Sequence, residues 1–577
     1  MVFFSSCEDK FIDLKPLASI TEADYYDEPE HFQTGSNAFY TQLPTWSNAS
    51  DYMDYGSDLI SYISGPQQDY GRGIITAPVT DDYWDDSWQN IRSNNLLIER
   101  AADYSGDQSE IAEYVGAAKF FRAWNYYTLV QRFGGVPIIT RSLDVGDDEL
   151  SAPRNSRYEV VSVILNDLDD AIASLPLEQN IGSESKGKIS KWAAMSFKAQ
   201  VLLYEATWMK YVNTTTDGDG IVSGAGSAGF DTSNIDLYLQ EAVQLTKTVI
   251  EEGGFELWNY NNLLDNKSSF YLFNLEDSGS NPAGLDKATN NEFILYSKYD
   301  FALRSGNSLV SHAVRGRLQP SRKMMDLFLC SDGKTVFEST QFQGYVNASD
   351  EYQNRDYRLV SYFADFNTYE APLDGSVELK GVTSTGYVNQ KFSAYKYGEY
   401  REANQESADY PHIRLATVYL MYAEALYELN GNVTDVELDE SINKLKIRAG
   451  LPTISSAKLA ANGMDLKEEI RRERAIELFA ENSRYIDLKR WGIAEQELNQ
   501  NICGAVIEGT AFENNAALYA PGIYSFGEIS VPTGSGSLKA LLIEPAGNRN
   551  FLRKNYLHPL PTKEIGLTAS LLQNPNY

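Results

Sequence analysis

The chain is poor in the residues on which disulfide frameworks, zinc sites and membrane-spanning helices depend. Its 577 residues include only three cysteines and four histidines. Three cysteines cannot build a disulfide framework, and no histidine has a second histidine or cysteine three or four residues away. No stretch reaches the roughly 20 apolar residues of a membrane-spanning helix. We therefore expect no metal, no other cofactor and no spanning segment.

Positive charge is also scarce. The chain has 49 lysines and arginines against 80 acidic residues, which gives a formal net charge of -31. Nucleic acids and anionic membranes bind basic patches, so this balance disfavours both as partners, and it mildly disfavours polyanionic glycans. The same balance is explained at least as well by plain solubility.

Aromatic residues, in contrast, are abundant: 38 Tyr, 25 Phe and 8 Trp. Many of them must lie in the core. Tyrosine also suits wet binding surfaces, because it combines a flat apolar face with a polar hydroxyl. The surplus of tyrosine therefore fits a protein that binds a ligand through exposed rings.

Apolar residues recur mostly at helical spacing, as at Ala117, Phe120, Phe121, Trp124 and Tyr127. This i, i+3, i+4, i+7 pattern predicts amphipathic helices, several of them paired across short turns. Such pairs are typical of tetratricopeptide-like scaffolds, although the consensus of that repeat is poor here. Besides a second stripe over 195–206, we predict helices near 21–43, 84–104, 110–133, 156–174, 235–252, 413–430, 438–449 and 465–483.

The character of the chain changes between about 211 and 410, where Gly, Ser, Asn and Asp become dense and long stretches carry no clear period. Long loops in a compact protein are usually functional. We predict a mainly α fold, in which a tetratricopeptide-like scaffold of helix pairs carries a large, irregular, loop-rich portion. The predicted parts are a signal-peptide remnant (1–7), an N-terminal helical part (8–210), a loop-rich ligand-facing region (211–410), and a C-terminal helical part with a docked tail (411–577).

The first residues indicate a processing site. Apolar Val2 to Phe4 and small Ser5 and Ser6 precede Cys7, as in a bacterial lipobox, although no basic region comes before them. We expect Cys7 to carry lipid, which would anchor the protein to a membrane without spanning it.

Several motifs, spread in order along the chain, resemble one known family. They include Ala118-Lys-Phe-Phe-Arg-Ala-Trp-Asn-Tyr-Tyr127 followed by Phe133-Gly-Gly-Val-Pro137, the segment from Asp409 to Ala425, the segment from Arg472 to Trp491, and the proline-rich end from Tyr556 to Tyr577. The chain resembles the SusD/RagB family, the surface glycan-binding lipoproteins of Gram-negative bacteria.

The resemblance implies a particular function and set of partners. A member of this family would have four tetratricopeptide-like helix pairs and would be a lipid-anchored, surface-exposed protein of the cell outer membrane. It would capture an oligo- or polysaccharide without catalysis and deliver it, like a lid, to a SusC-like TonB-dependent transporter. The acidic charge of this chain makes a neutral glycan the expected ligand.

Sugar sites combine aromatic platforms with a few placed polar groups. Four loop segments concentrate such residues, and relatives in the family contact glycans through loops near the first and third. The candidate ligand residues are Trp46, Tyr55 and Asp58 in the first; Tyr70, Arg72, Tyr83 and Trp84 in the second; Tyr296, Tyr299, Arg304 and Arg315 in the third; and Tyr395 in the fourth.

Two other functions stay open on the sequence. A peptide-binding lipoprotein of the same fold would use similar loops. A secreted glycoside hydrolase would need two carboxylates with different pKa values, and Asp81, Asp82, Asp85 and Asp86 are candidates. Glu481, Arg484 and Asp487 are also candidates for catalysis, but ion-paired helix surfaces explain them better.

Overall fold

The structure, a computed structural model, describes residues 26–46, 53–61, 68–305, 318–347, 349–363, 385–395, 405–511, 513, 526–530 and 537–577. Cys7 and Arg315 lie outside these ranges. The fold is mainly α, as predicted. In chain order, helices α1 to α18 are Pro29–Ala38, Asp69–Arg72, Asp82–Asp103, Gln108–Phe133, Arg157–Ser174, Lys191–Tyr211, Ser233–Glu252, Ser268–Tyr271, Arg322–Leu327, Tyr357–Phe363, Leu415–Asn430, Asp435–Glu440, Ile442–Arg448, Ser456–Ala461, Leu466–Glu477, Arg484–Arg490, Ala494–Leu498 and Thr562–Leu567.

The described strands are short and form three small antiparallel sheets. They are β1 (Ile60–Ser61), β2 (Phe293–Ser297), β3 (Gln319–Pro320), β4 (Tyr410–Arg414), β5 (Ile502–Val506), β6 (Phe526–Ser530) and β7 (Ser537–Glu544). β1 pairs with β3, β2 with β4, and β7 lies between β5 and β6. The pairs β1–β3, β2–β4 and β5–β7 join segments that are distant in sequence, whereas β6 and β7 are close in sequence.

The long helices stack side by side, as the predicted helix pairs require. α3 packs on α4, α4 on α5, α5 on α6, α6 on α7, and α7 on α11. Helix α6 lies at the centre of this stack: between Trp192 and Met209 only Gln200 is not buried. Local sequence marks the helix starts, as at α5, where Ser156 and Glu159 form a reciprocal capping box.

Two predicted helices are shorter than their apolar pattern suggested. The helix predicted over 438–449 is broken at Ser441, whose φ of -132° and ψ of -102° separate α12 from α13. The helix predicted over 465–483 ends at Glu477, beyond which Ala480 and Asn482 adopt left-handed φ angles. The ammonium group of Lys391 donates to the carbonyls of Glu477 and Phe479, and it thereby satisfies the backbone where the helix ends.

The proline-rich C-terminal segment lies along the helical stack. Tyr556, Leu557 and Leu560 are buried there. Gly134 ends α4 with a φ of 78°, and a Cβ at this position would stand 2.8 Å from Leu557. Arg154 ties the two segments, since its guanidinium donates to the carbonyls of Phe133, Gly135 and Leu572. The glycine pair after α4 therefore permits close approach of the tail.

The buried apolar residues form two main cores. The larger belongs to the helical stack and the C-terminal tail, with residues such as Phe120, Phe197 and Tyr556. The second underlies the loop-rich part and includes Trp46, Phe392 and residues of α9 and α10. The boundaries predicted at 7, 210 and 410 stay predictions. The C-terminal tail and the loop-rich part both pack against segments that are distant in sequence.

Candidate functional site

A tight turn follows β2 and presents apolar side chains to solvent. The backbones of Asp300 and Arg304 exchange both hydrogen bonds, at 3.0 and 2.9 Å. The Asp300 carboxylate accepts from the backbone N–H groups of Ala302 and Leu303, both at 2.9 Å. Phe301 and Leu303 are consequently 53% and 89% exposed. We call residues Tyr299 to Arg304 the turn site.

Tyr299 fixes the turn site to the body of the protein. Its hydroxyl accepts from the backbone N–H of Trp46 at 2.9 Å, and its own N–H donates to Asp409 at 2.8 Å. Lys287 completes the anchor, since its ammonium group donates to Asp409 at 2.6 Å and to the Tyr299 carbonyl at 2.7 Å. The exposed Arg304 guanidinium lies 4.5 Å above the Tyr299 ring. An arginine held flat on an aromatic ring is presented in a defined orientation.

Charge around the turn site is mixed and held in place. Hydrogen bonds from Leu303 and Ala302 lower the pKa of Asp300. Burial raises the pKa of Asp409, and the charge of Lys287 opposes that rise. Burial, aided by Arg304, lowers the pKa of His412 to about 3. His412 is therefore neutral at physiological pH, and its Nε2 lies 2.9 Å from the Ser297 hydroxyl on β2.

A fully buried ion network supports the base of β2 and β4. Glu477, at the end of α15, accepts from Arg414 at 2.6 Å and from Arg358 at 2.7 Å, and it also pairs with Arg448. Glu292, just before β2, pairs with Arg414 at 2.9 Å and Arg448 at 2.6 Å. Burial alone would raise the pKa of Glu477, but the three arginines hold it well below its ordinary value. The network joins the strands that carry the turn site to the helical stack.

The structure brings the first and third predicted segments together and places the residues of the first inside. The Trp46 ring contacts Phe392 and Tyr410 edge-on, with centroids 5.1 and 4.6 Å apart. Tyr55 is completely buried in the second core. Asp58 is buried against Arg484 and Lys323, whose charges hold its pKa below normal although burial opposes them. These three residues are buried beneath the loops, and their contact with a ligand stays a prediction.

The second predicted segment divides between supporting and accessible positions. The half-buried Tyr70 ring contacts Tyr485 at 5.1 Å, and Arg72 pairs with Glu544 at 3.2 Å. Tyr83 is 37% exposed and lies under the Arg132 guanidinium at 4.3 Å. Trp84 is buried near the start of α3, yet it lines a groove on the helical side. None of these residues is part of the turn site.

The remaining predicted residues are partly accessible. Tyr296, on β2, is half-buried, and burial raises its pKa above the ordinary tyrosine value. Tyr395 is half-buried and contacts Tyr271, with ring centroids 5.6 Å apart. Arg315 lies outside the described residues, so its place in the third segment stays a prediction.

The carboxylates considered for hydrolysis do not form an isolated pair. Asp81 caps α3 and pairs with Arg132 at 2.7 Å. Asp82, Asp85 and Asp86 are exposed on the first turns of α3. Of the other candidates, Glu481 pairs with Arg414 and Lys391, and Asp487 pairs with Arg474 and Arg490. Arg484 pairs with Asp58. Because each of these three residues is paired with a residue of opposite charge, we interpret them as structural.

Phe301 and Leu303 are accessible residues of the turn site that the sequence prediction omitted. Asp300 was an available signal, because an aspartate side chain can hydrogen-bond the backbone two residues on and so favours a turn. The predicted pattern counted Tyr and Trp as platforms and passed over Phe and Leu.

The described ranges contain neither a metal-binding cluster nor a membrane-spanning helix. Among those residues, no group of three or more His, Cys, Asp or Glu side chains is arranged to hold a metal ion. No helix within them is long and apolar enough to cross a membrane. Cys330 and Cys503 are free and buried.

The fold is a tetratricopeptide-like scaffold of stacked helices with an irregular, loop-rich part. A model of the SusD family matches residues 276–577, and a second, described as starch-binding and associating with the outer membrane, matches residues 11–203. The first match covers more than half of the chain. The chain therefore belongs to the SusD family, as the sequence motifs predicted.

Relatives are distant in sequence and close in architecture. A SusD-like protein of Bacteroides ovatus is 23% identical over 510 residues, 85% of this chain and 80% of that protein. A SusD-like carbohydrate-binding protein of Bacteroides fragilis superposes with a TM-score of 0.70 at 20% identity, covering 95% of this chain and 99% of the other. A laminarin-binding SusD-like protein gives a TM-score of 0.57 at 20% identity, with coverages of 96% and 100%. At such identities the likeness establishes the fold.

Proposed function

We propose that the protein is a non-catalytic, surface-exposed glycan-binding lipoprotein. It captures an oligo- or polysaccharide and delivers it to a SusC-like TonB-dependent transporter of the outer membrane. The observation that carries this proposal is the turn site: exposed Phe301 and Leu303 beside an Arg304 stacked on Tyr299, in a chain of the SusD family. Apolar side chains can cover the CH faces of a sugar, and the guanidinium can donate to its hydroxyls.

The chemistry of the turn site supports binding without cleavage. Glycoside hydrolysis needs a protonated carboxyl group paired with an ionised one at a defined distance. Asp300 is exposed and its carboxylate is engaged by two backbone donors. Burial raises the pKa of Asp409, and its Oδ1 accepts from Lys287 and from the Tyr299 N–H. Both carboxylates therefore serve to hold the turn site in place.

Location and partner complete the proposal. A lipid on Cys7 would hold the protein at the outer membrane, in agreement with the family description of residues 11–203 as associating with that membrane. Family membership supports delivery to a transporter. The net charge of -31 favours a neutral glycan.

Native affinity electrophoresis of the protein lacking Cys7 tests the proposal. The panel contains starch, laminarin, other neutral polysaccharides and anionic ones, and reducing sugar is assayed in the same tubes. We expect at least one neutral glycan to retard migration without release of reducing sugar. Because shallow platforms bury little area, we expect weak binding per site and stronger binding to long chains.

Each other outcome points elsewhere. Release of reducing sugar would replace the proposal by a hydrolase. Silence across the whole panel would remove glycan capture and favour the peptide-binding alternative, for which the exposed Phe301 and Leu303 would serve as apolar contacts.

A further inference from the structure

A groove on the helical side of the molecule lies outside the turn site. It has a volume of about 370 Å³ and runs between the first half of α3, the segment 137–152 and the residues around α18. Its apolar wall is formed by Trp84, Trp88, Ile91, Ile139, Leu150 and Leu571. Leu150 is 52% exposed at the rim, so the groove opens to solvent. This volume falls in the range of small-ligand sites.

The groove contains hydrogen-bonding groups that the rest of the described chain leaves unused. Neither indole N–H, of Trp84 or of Trp88, donates a hydrogen bond to a described residue, and the Trp88 nitrogen is completely buried. Asp85 lines the groove and forms no ion pair with any described residue. Because the Trp88 nitrogen has no accessible surface, a ligand in the groove meets the Asp85 carboxylate and the rings, and not this N–H.

Charge in the groove is nearly balanced. Arg141 pairs with Glu149 at 2.8 Å, and Arg92 donates to the Leu143 carbonyl. Asp85 and Glu564 add negative charge, and Glu564 has Lys563 as a neighbour at 3.8 Å. The groove has no excess of one charge that would attract a strongly charged ligand. A neutral molecule with apolar faces and many hydroxyls fits better, because its hydroxyls can donate to the carboxylates and its apolar faces can cover the rings.

Helix α4 separates this groove from the turn site. Tyr126 contacts Trp88 on the groove side, with centroids 6.1 Å apart. Trp124, two residues earlier and therefore about 200° around the helix, contacts His412 at 5.8 Å on the side of β4 and Trp46. The groove and the turn site are thus on opposite sides of one helix.

We propose that the groove is a second, independent site for a neutral oligosaccharide. Trp84, Trp88 and Leu150 form its apolar platform, and the Asp85 carboxylate accepts hydrogen bonds from sugar hydroxyls. A polysaccharide chain held at both sites would dissociate more slowly than from either, by avidity. The proposal goes beyond capture at the turn site and can fail separately from it.

Titration calorimetry on the full chain tests this inference. The probes are hexasaccharides from laminarin and from starch, with a galacturonan hexasaccharide as the anionic comparison. The variants are Asp85→Ala and Leu150→Arg in the groove and Arg304→Ala at the turn site. Asp86→Ala is the matched control, since Asp86 is equally exposed on the same helix but does not line the groove.

We expect a neutral hexasaccharide to bind wild-type protein at two sites. Asp85→Ala should weaken one of them about tenfold, as expected for the loss of one charge-assisted hydrogen bond, and Leu150→Arg should abolish it. Asp86→Ala should change neither site. Arg304→Ala should weaken binding only at the turn site.

Two results would overturn the inference. A single site that is lost in Arg304→Ala and unchanged in Asp85→Ala and Leu150→Arg would leave glycan capture intact and remove the groove. The inference would also fail if none of the three hexasaccharides bound at the groove. It would fail equally if the anionic hexasaccharide bound there more tightly than the neutral ones.

Discussion

The helical stack and the loop-rich part bury similar kinds of surface but are held in place differently. Helix α6 packs mainly on apolar neighbours such as Phe120 and Tyr127, whose rings lie 5.3 and 5.4 Å from Phe197, although its Glu205 also pairs with Arg157 at 2.7 Å. The strands that carry the turn site are joined to that stack through fully buried arginines and glutamates around Glu477. Apolar packing needs matching volume, whereas a buried ion pair needs a particular geometry.

The difference follows from the backbone. Helices satisfy their own carbonyls, but irregular segments need outside donors. Buried cations supply them: Arg355 donates to the carbonyls of Met325, Phe328 and Glu351, and Lys391 donates to those of Glu477 and Phe479. Charged side chains in the loop-rich part thus replace the regular hydrogen bonding that a helix provides.

The largest expected effect is the loss of the central charge of the network. Glu477→Gln leaves Arg358, Arg414 and Arg448 buried with one negative partner fewer. We expect a loss of about 3–5 kcal/mol in the free energy of unfolding, measured by urea titration. Glu468→Gln on the same helix is the control, because Glu468 is largely exposed and its pair with Arg471 is 3.6 Å long. A loss under 1 kcal/mol for Glu477→Gln would contradict a supporting role for the network.

Truncation in the apolar core should cost slightly less. Leu202→Ala removes a completely buried side chain from the centre of α6. We expect a loss of about 2–5 kcal/mol from lost burial and the remaining cavity. Urea titrations at low and high salt should give the same loss, since no charge is involved. A strong salt dependence would show that the two regions are not held by different forces.

Burial of Lys489 should make stability depend on pH. Lys489 lies in the helical core with its ammonium group 3.0 Å from the Tyr556 carbonyl, and burial lowers its pKa from 10.5 to about 7. The unfolded chain therefore binds more protons between pH 7 and 10.5, and stability rises with pH across that window. In Lys489→Met this rise in Tm should disappear, whereas the exposed-site control Lys444→Met should keep it. An unchanged slope in Lys489→Met would assign the rise to other groups.

The smallest effect on stability is expected at the turn site. Arg304 is exposed, so Arg304→Ala should change the free energy of unfolding by less than about 0.5 kcal/mol. Affinity electrophoresis on the retarding glycan should nevertheless show much weaker binding, because the variant loses the guanidinium stacked on Tyr299. Lys444→Ala, which removes an exposed cation from α13, is the control. Unchanged retardation of Arg304→Ala would move the glycan site away from the turn.

Sequence patterns predicted the helical part well, because burial on one helix face leaves a period that can be read directly. The helix predicted over 84–104 appears as α3 and that over 110–133 as α4. The end of α15 at Glu477 could not be predicted this way, since the Glu477 carbonyl accepts from Lys391, which is distant in sequence. Such a tertiary contact can outweigh the local helix propensity.

The site was predicted only in part for the same reason. An aromatic residue in a loop can face inward or outward, and its sequence neighbours do not decide which. Trp46 faces inward, because its backbone N–H donates to the Tyr299 hydroxyl and its indole N–H donates to the Ala408 carbonyl. Tyr299 and Arg304 were predicted from composition, but their stacking required the turn that Asp300 closes. Direct contact of either residue with a glycan stays a prediction.

Hydrogen exchange with mass spectrometry, followed as the pH falls from 6 to 3 and corrected for intrinsic rates, tests the contrast between the two regions most directly. Arginine and lysine partners hold the pKa values of Glu473, Glu477 and Glu481 below the ordinary 4.5, although burial opposes them. Their contribution to stability is complete above that value and is lost as the pH falls toward their folded-state pKa values. We predict that amides of β2 and β4 lose protection before those of α6. Simultaneous loss in both regions, or earlier loss in α6, would contradict the account.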